Sequence, residues 1–195
     1  MQLKKWIPFL TAFVLPIVII YAWWGGFNPV RIEEDQMRGP YSYAYLEQKG
    51  DYSKLPGLQG KVAQALADQH IAAGLPITVL YSDPDRVAMA DRLGRTGYLL
   101  EPGVKVAPPL RQDVVAARPV LLVRVQTAIA LAPSRAYQAL SDYLEARGET
   151  LRMPTVELYQ GSDSVWRNGV LSVEMARTTE TATASAAAPG GGTVR

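Results

Sequence analysis

From Trp6 to Trp24 the chain reads WIPFLTAFVLPIVIIYAWW, and no charged residue falls between Lys5 and Arg31. Nineteen residues in a helix rise roughly 28 Å, close to the hydrocarbon core of about 30 Å, so the pattern predicts one transmembrane helix over residues 6–24. Trp6, Tyr21, Trp23 and Trp24 stand at its two ends, where amphipathic rings favour the headgroup layer. Pro8 falls in the first turn and Pro16 predicts a central kink. No Ala-x-Ala-like cleavage site follows, so the run reads as an anchor and not as a removed signal peptide. Lys4 and Lys5 precede it, in a flank of residues 1–5, while Arg31 and Arg38 follow among Glu33, Glu34 and Asp35. The balance of Lys and Arg predicts a single-pass membrane protein. Its N-terminus would be cytoplasmic and its domain extracytoplasmic, periplasmic in a bacterium.

Beyond the anchor the patterning changes twice. Residues 25–38 are polar and turn-rich and read as a linker. Residues 178–195 are Thr, Ala and Gly without an aromatic ring, which predicts a disordered tail. Between them, residues 39–177 form one domain with an internal repeat, about 39–103 and 112–177. Gln64-Ala65-Leu66-Ala67-Asp68 matches Gln138-Ala139-Leu140-Ser141-Asp142, and Gly74 matches Gly148. Pro76-Ile77-Thr78-Val79-Leu80-Tyr81 matches Pro154-Thr155-Val156-Glu157-Leu158-Tyr159, and Arg95-Thr96-Gly97 matches Arg167-Asn168-Gly169. Each half reads as a strand, a helix and two strands. The strands are Tyr41 to Lys49, Pro76 to Tyr81 and Gly97 to Glu101, then Val120 to Gln126, Thr155 to Gln160 and Val170 to Ala176. The helices carry Leu55, Leu58, Val62 and Leu66 in the first half, and Ala136, Tyr137, Leu140 and Leu144 in the second. A lone β-α-β-β unit leaves one sheet face bare. The duplication therefore predicts an α+β fold with pseudo-two-fold symmetry, helices on one face and a concave groove on the other.

Composition narrows the chemistry. The chain has no cysteine and one histidine, which excludes a disulfide framework, a thiolate metal site and a Cys nucleophile. No metal, cofactor or catalytic set is expected. A formal net charge of +2 with scattered Lys and Arg gives no field for nucleic acid, so none is expected as a partner.

Gly39-Pro40-Tyr41-Ser42-Tyr43, followed by Lys49-Gly50-Asp51-Tyr52-Ser53-Lys54-Leu55, resembles the GyrI-like (AraC-effector-binding) domain family. So does the helix–Gly–Pro–strand–Tyr pattern, with Asp83-Pro84 after the first-half strand. The resemblance spans residues 39–177 and implies a two-repeat α+β domain with a ligand pocket on its central groove. The family includes effector domains of transcription activators, gyrase-binding proteins and hydrolases of cyclopropane-bearing compounds. A eukaryotic branch pairs a membrane helix with one such domain and recruits its partner through an aromatic tail motif. The tail here has no aromatic residue, so that role does not carry over. The family's Gly-x-Tyr motif in the second half is replaced by Gln126-Thr127-Ala128-Ile129-Ala130.

The resemblance implies that Glu174, in Leu171-Ser172-Val173-Glu174-Met175, lies at the pocket base and pairs with lipophilic cations. A poorly hydrated carboxylate among rings favours such a partner. Tyr41, Tyr43 and Tyr45 alternate and share one strand face. With Tyr81, Tyr98, Tyr159 and Trp166 they supply an aromatic lining. Glu157, between Val156 and Leu158, is a second acid that would serve acid–base chemistry if it shared a face with Glu174. The expected function is a binding module, not an enzyme, that captures a small amphipathic, cationic molecule while membrane lipid holds residues 6–24. Two alternatives are a hydrolase of strained electrophiles and a scaffold gripping a protein partner.

Overall fold

The computed structural model describes residues 3–161 and 166–177, with side chains from Thr11 onward; the expected tail, 178–195, lies outside the described residues. In chain order the elements are α1 (Leu3–Trp23), β1 (Arg31–Arg38), β2 (Tyr41–Lys49), α2 (Leu55–Asp68), β3 (Pro76–Leu80), β4 (Leu93–Leu99), β5 (Arg111–Val115), β6 (Arg118–Ala128), α3 (Ala132–Glu145), β7 (Thr155–Gln160) and β8 (Asn168–Ala176). The eight strands form one antiparallel sheet in the order β1-β6-β8-β7-β3-β4-β2-β5. That order is a palindrome of the two halves about the β7–β3 pair, as the duplication predicts. Both helices pack on one face, α2 over β2 and β4, α3 over β6 and β8.

The helices form where the apolar spacing places them. Ala132, Ala136, Leu140 and Leu144 recur every four residues and are buried against Leu121, Val123, Val125, Leu171, Val173 and Met175. Leu66 and Val62 do the same over Ala44. The repeated Gln-Ala-Leu-x-Asp makes the same bond twice, since Gln64 and Gln138 each donate to the Asp four residues on, at 2.8 Å. Gly148, at φ 65, closes α3, with Glu149 N donating to Leu144 O at 2.9 Å. Helix α2 stops at Asp68, and His70 takes the left-handed conformation.

The structure departs from the sequence pattern first at the sheet edges. Residues 31–38 are not a linker but edge strand β1, paired with β6. Its sequence RIEEDQMR has no alternation because the register shifts between Glu33 and Gln36, where Asp35 takes the left-handed conformation, and because no residue of the strand is fully buried. The opposite edge, β5, was not foreseen either. Strand β4 begins at Leu93, four residues ahead of the expected Gly97.

The repeat itself slips by one residue. Ile77 and Val79 share a face with Leu158 and Val156, so the structural equivalents are Thr78-Val79-Leu80 and Thr155-Val156-Glu157. A one-residue slip moves every side chain to the other face, and here it separates Tyr81 from Tyr159. The Arg-x-Gly match is not structural: Arg95-Thr96-Gly97 lies inside β4, whereas Asn168 and Gly169 open β8. Gly97 is required where it stands, because a Cβ there would meet Ala44 O at 1.8 Å.

Among the described residues no helix is long and apolar enough to cross a membrane. Helix α1 (Leu3–Trp23) was the candidate. The span over residues 6–24 is therefore withdrawn. With it go membrane lipid as a partner, the single-pass location and the extracytoplasmic domain. Nor is α1 loosely tethered. The Trp24 carbonyl accepts from Ala128 N at 2.8 Å and from Thr127 Oγ1 at 2.7 Å.

Candidate functional site

On the face opposite the helices, alternation along β8 aims Glu174 inward, where it is wholly buried. It is also fully partnered. Arg38 Nε donates to its Oε1 at 2.8 Å, Tyr41 Oη to the same atom at 2.7 Å, and Arg118 Nη2 to Oε2 at 3.1 Å. The bond to Glu174 raises the Arg38 pKa further, and burial with the same bond pushes Tyr41 up to about 12. An organic cation would have to displace two guanidinium groups. The resemblance implied Glu174 at a pocket base, and the structure gives it two guanidinium groups and a hydroxyl as partners.

The first half holds the mirror of this centre with its charges reversed. Register places Arg95 of β4 where β8 has Glu174, and Asp113 of β5 where β1 has Arg38. Arg95 Nη1 donates to Asp113 Oδ2 at 2.7 Å and to Tyr81 Oη at 2.9 Å, and Arg95 Nε lies 3.2 Å from Glu47 Oε2. Its guanidinium stacks 4.6 Å from the Tyr45 ring centroid and 4.9 Å from that of Tyr81. Between the two centres Tyr43, Tyr45, Ile77, Val79, Val156 and Leu158 fill the face with their own side chains. Tyr43 Oη is buried without a hydrogen-bond partner of good geometry, and burial drives its pKa up. Tyr43, Tyr45 and Tyr81 therefore pack together as expected for one face, but they pack into a filled core and not around an open groove.

Glu157 points the other way. Glu174 stands opposite Val156, so its neighbour Glu157 lies on the helix-bearing face. The condition for joint acid–base action by the two carboxylates is not met. Glu157 is buried, 5% exposed, and Tyr159 Oη donates to its Oε2 at 2.6 Å. On the same face the Tyr137 hydroxyl shares a 2.8 Å bond with Thr155 Oγ1. No cation among the described residues forms an ion pair with Glu157. Burial raises the Glu157 pKa, and the two tyrosine hydroxyls only partly oppose the shift. Burial beside this carboxyl carries Tyr137 and Tyr159 well above the ordinary phenol value. Thr78, Thr96 and Thr155 continue a polar strip across the centre of this face, with Thr78 and Thr96 bonded at 3.0 Å.

A cavity of about 380 Å³ opens beside that strip, between α3 and the turn after β3. Tyr137, Leu140, Ser141 and Leu144 form its helical wall. Asp83, Asp85, Glu145 and Glu149 also line it, against Arg86. Arg86 lies 3.4 Å from Asp83, and Arg177 pairs with Glu149 at 2.6 Å, so the lining is net acidic. Tyr137 belongs to both features: its ring lines the cavity and its hydroxyl touches the Glu157 group. One side chain therefore separates a ligand-sized, acidic cavity from a buried carboxyl that has no cation.

The remaining expected ring falls elsewhere. Trp166 is 59% exposed and packs on Trp24, with ring centroids 5.3 Å apart. Tyr98 packs beneath α2. Arg38, Arg95 and Arg118 were missed, because their roles depend on strands that cross between halves and leave no local signal. Glu157 did leave one, as a lone acid inside an apolar central strand.

No protein-family model and no curated relative matches the chain by sequence. Solved structures do match. EcmrR in a complex with DNA aligns with a TM-score of 0.57 at 13% identity, covering 90% of this chain and 68% of that one. The EcmrR C-terminal domain aligns at 0.53 and 15% identity, covering 76% and 96%. SAV2435 bound to tetraphenylphosphonium aligns at 0.52 and 12% identity, covering 76% and 93%. At such identities the likeness shows the fold, and it agrees with the GyrI-like, effector-binding architecture expected from the motifs. It also removes one expectation. A neighbour of this fold sits in a DNA complex, so the exclusion of nucleic acid drawn from scattered charge does not stand.

Proposed function

We propose that the domain binds a small amphipathic cation, without chemistry, in the cavity beneath α3, with Glu157 as its counter-charge. The observation that carries this reading is the buried Glu157 carboxyl, held by the Tyr159 hydroxyl at 2.6 Å and by no cation among the described residues, one side chain from an acidic cavity of about 380 Å³. A carboxylate in that position is poorly solvated and gains most from a partner that brings positive charge with apolar bulk. Tyr137 and Tyr159 add ring faces for it. The same fold in SAV2435 accommodates tetraphenylphosphonium, which makes that ion the natural probe. Among the expected residues Glu157 and Tyr159 belong to this site. Tyr43, Tyr45 and Tyr81 support the sheet behind it, and Glu174 with Arg38 and Arg118 holds the fold together.

Calorimetric titration with tetraphenylphosphonium at pH 8 tests the reading. Saturable one-site binding is expected, weakened about tenfold or more by Glu157→Gln, a change of about 1.4 kcal/mol. Because the bound form needs an ionised Glu157, and its pKa is raised, affinity should fall as pH is lowered through that range. An absence of saturable heat, or equal affinity in Glu157→Gln, would refute it.

A further inference from the structure

The N-terminal segment grips α3 on either side of the cavity. Arg135, in the first turn of α3, donates from Nη1 to Gly25 O at 2.8 Å and from Nη2 to Asn28 O at 2.5 Å. Two turns further on, Tyr143 donates to Glu34, and Arg147 lies 3.6 Å from the same carboxylate. The cavity wall, Tyr137, Leu140, Ser141 and Leu144, falls between these two grips. From Arg135 to Tyr143 is about 12 Å of helix, a stiff element, so a shift of α3 at the cavity moves both anchoring points.

Further hydrogen bonds tie the segment to the sheet and to α1. Asn28 Nδ2 donates to Gln126 O at 2.7 Å, and Trp24, Gly25 and Gly26 N–H groups bond back to the last turn of α1. Gly26 is pressed against Tyr21, where a Cβ would lie 2.3 Å from the ring.

We infer that α3 couples occupancy of the cavity to residues 24–38 and the end of α1, and that Arg135 is the coupling residue. The inference rests on reading the cavity as the ligand site, but it can be tested apart from it. Arg135 touches neither the cavity nor Glu157. Coupling of this kind is a property of two perturbable sites and one element that both of them bias.

Amide hydrogen exchange of the full chain measures it under two perturbations. One is saturating tetraphenylphosphonium. The other is Ser141→Phe, which fills the cavity from an exposed helix position with no ligand present. Each is expected to change exchange at residues 24–38 by about threefold or more. Arg135→Gln is expected to abolish both responses while leaving affinity for the probe within about twofold. Arg135→Lys, which keeps the charge and one carbonyl contact, is expected to be intermediate. If exchange in residues 24–38 answers neither perturbation while α3 amides respond, the coupling is wrong. If the responses survive in Arg135→Gln, Arg135 is not the link. A response to Ser141→Phe without binding of the probe supports the coupling and overturns the ligand reading alone.

Discussion

Glu157 and Glu174 are the two fully enclosed acids of the sheet, and one residue of register sets their fates. Glu174 meets Arg38, Arg118 and Tyr41. Glu157 meets only hydroxyls. Burial holds the folded-state pKa of Glu157 above its ordinary value near 4.5. For a group raised on folding, its stabilising contribution is complete below the unfolded value and is lost as pH rises through the folded value. Glu157→Gln removes that dependence. Urea unfolding of both proteins between pH 4 and 8 should therefore show the variant gaining on the wild type as pH increases. A constant difference across that range would mean that Glu157 is solvated or paired in the folded state. In the sequence Glu157 stood out only as an acid between two apolar neighbours, whereas Glu174 came from a motif. The motif located the right strand but said nothing of the arginines waiting there.

Strands β1 and β5 each cross to the opposite half, and each brings one charge to a centre of opposite sign. Arg38 fits Glu174 and Asp113 fits Arg95, so exchanging the two edge strands would set like charges together. Enclosure decides how much each pair contributes. The Glu174 side chain is fully buried beside Arg38 at 28% exposure, whereas the Asp113 side chain is 47% exposed. Double-mutant cycles by urea denaturation, with alanine at each position, should give a coupling of about 3 kcal/mol for Arg38–Glu174. For Arg95–Asp113 the coupling should stay below about 1 kcal/mol. Equal couplings would show that β1 is not locked more firmly than β5. At this scale the sequence was legible where period and repetition coincide. The stripe of α3 and the ends of β2 and β7 appear where patterning puts them. Edge strands did not announce themselves, because neither β1 nor β5 buries a residue fully and a bulge at Asp35 breaks the period of β1. The repeat was visible, but matching the two prolines placed it one residue out, and only hydrogen-bond register corrects that.

For the whole molecule, duplication builds a sheet whose open face is closed by its own side chains and whose helix-bearing face keeps the polar strip and the cavity. The open face expected to form a groove is packed with side chains, and the cavity lies between α3 and the turn after β3. The N-terminal segment, read from sequence as a spacer, is an integral strand and a clamp on α3. The direct test of where a ligand sits is crystallographic. Crystals grown with tetraphenylarsonium, measured at the arsenic edge, should show one anomalous peak under α3 within about 6 Å of the Glu157 carboxyl. A peak beside Glu174 on the open face, or none in the cavity at saturating concentration, would contradict the account.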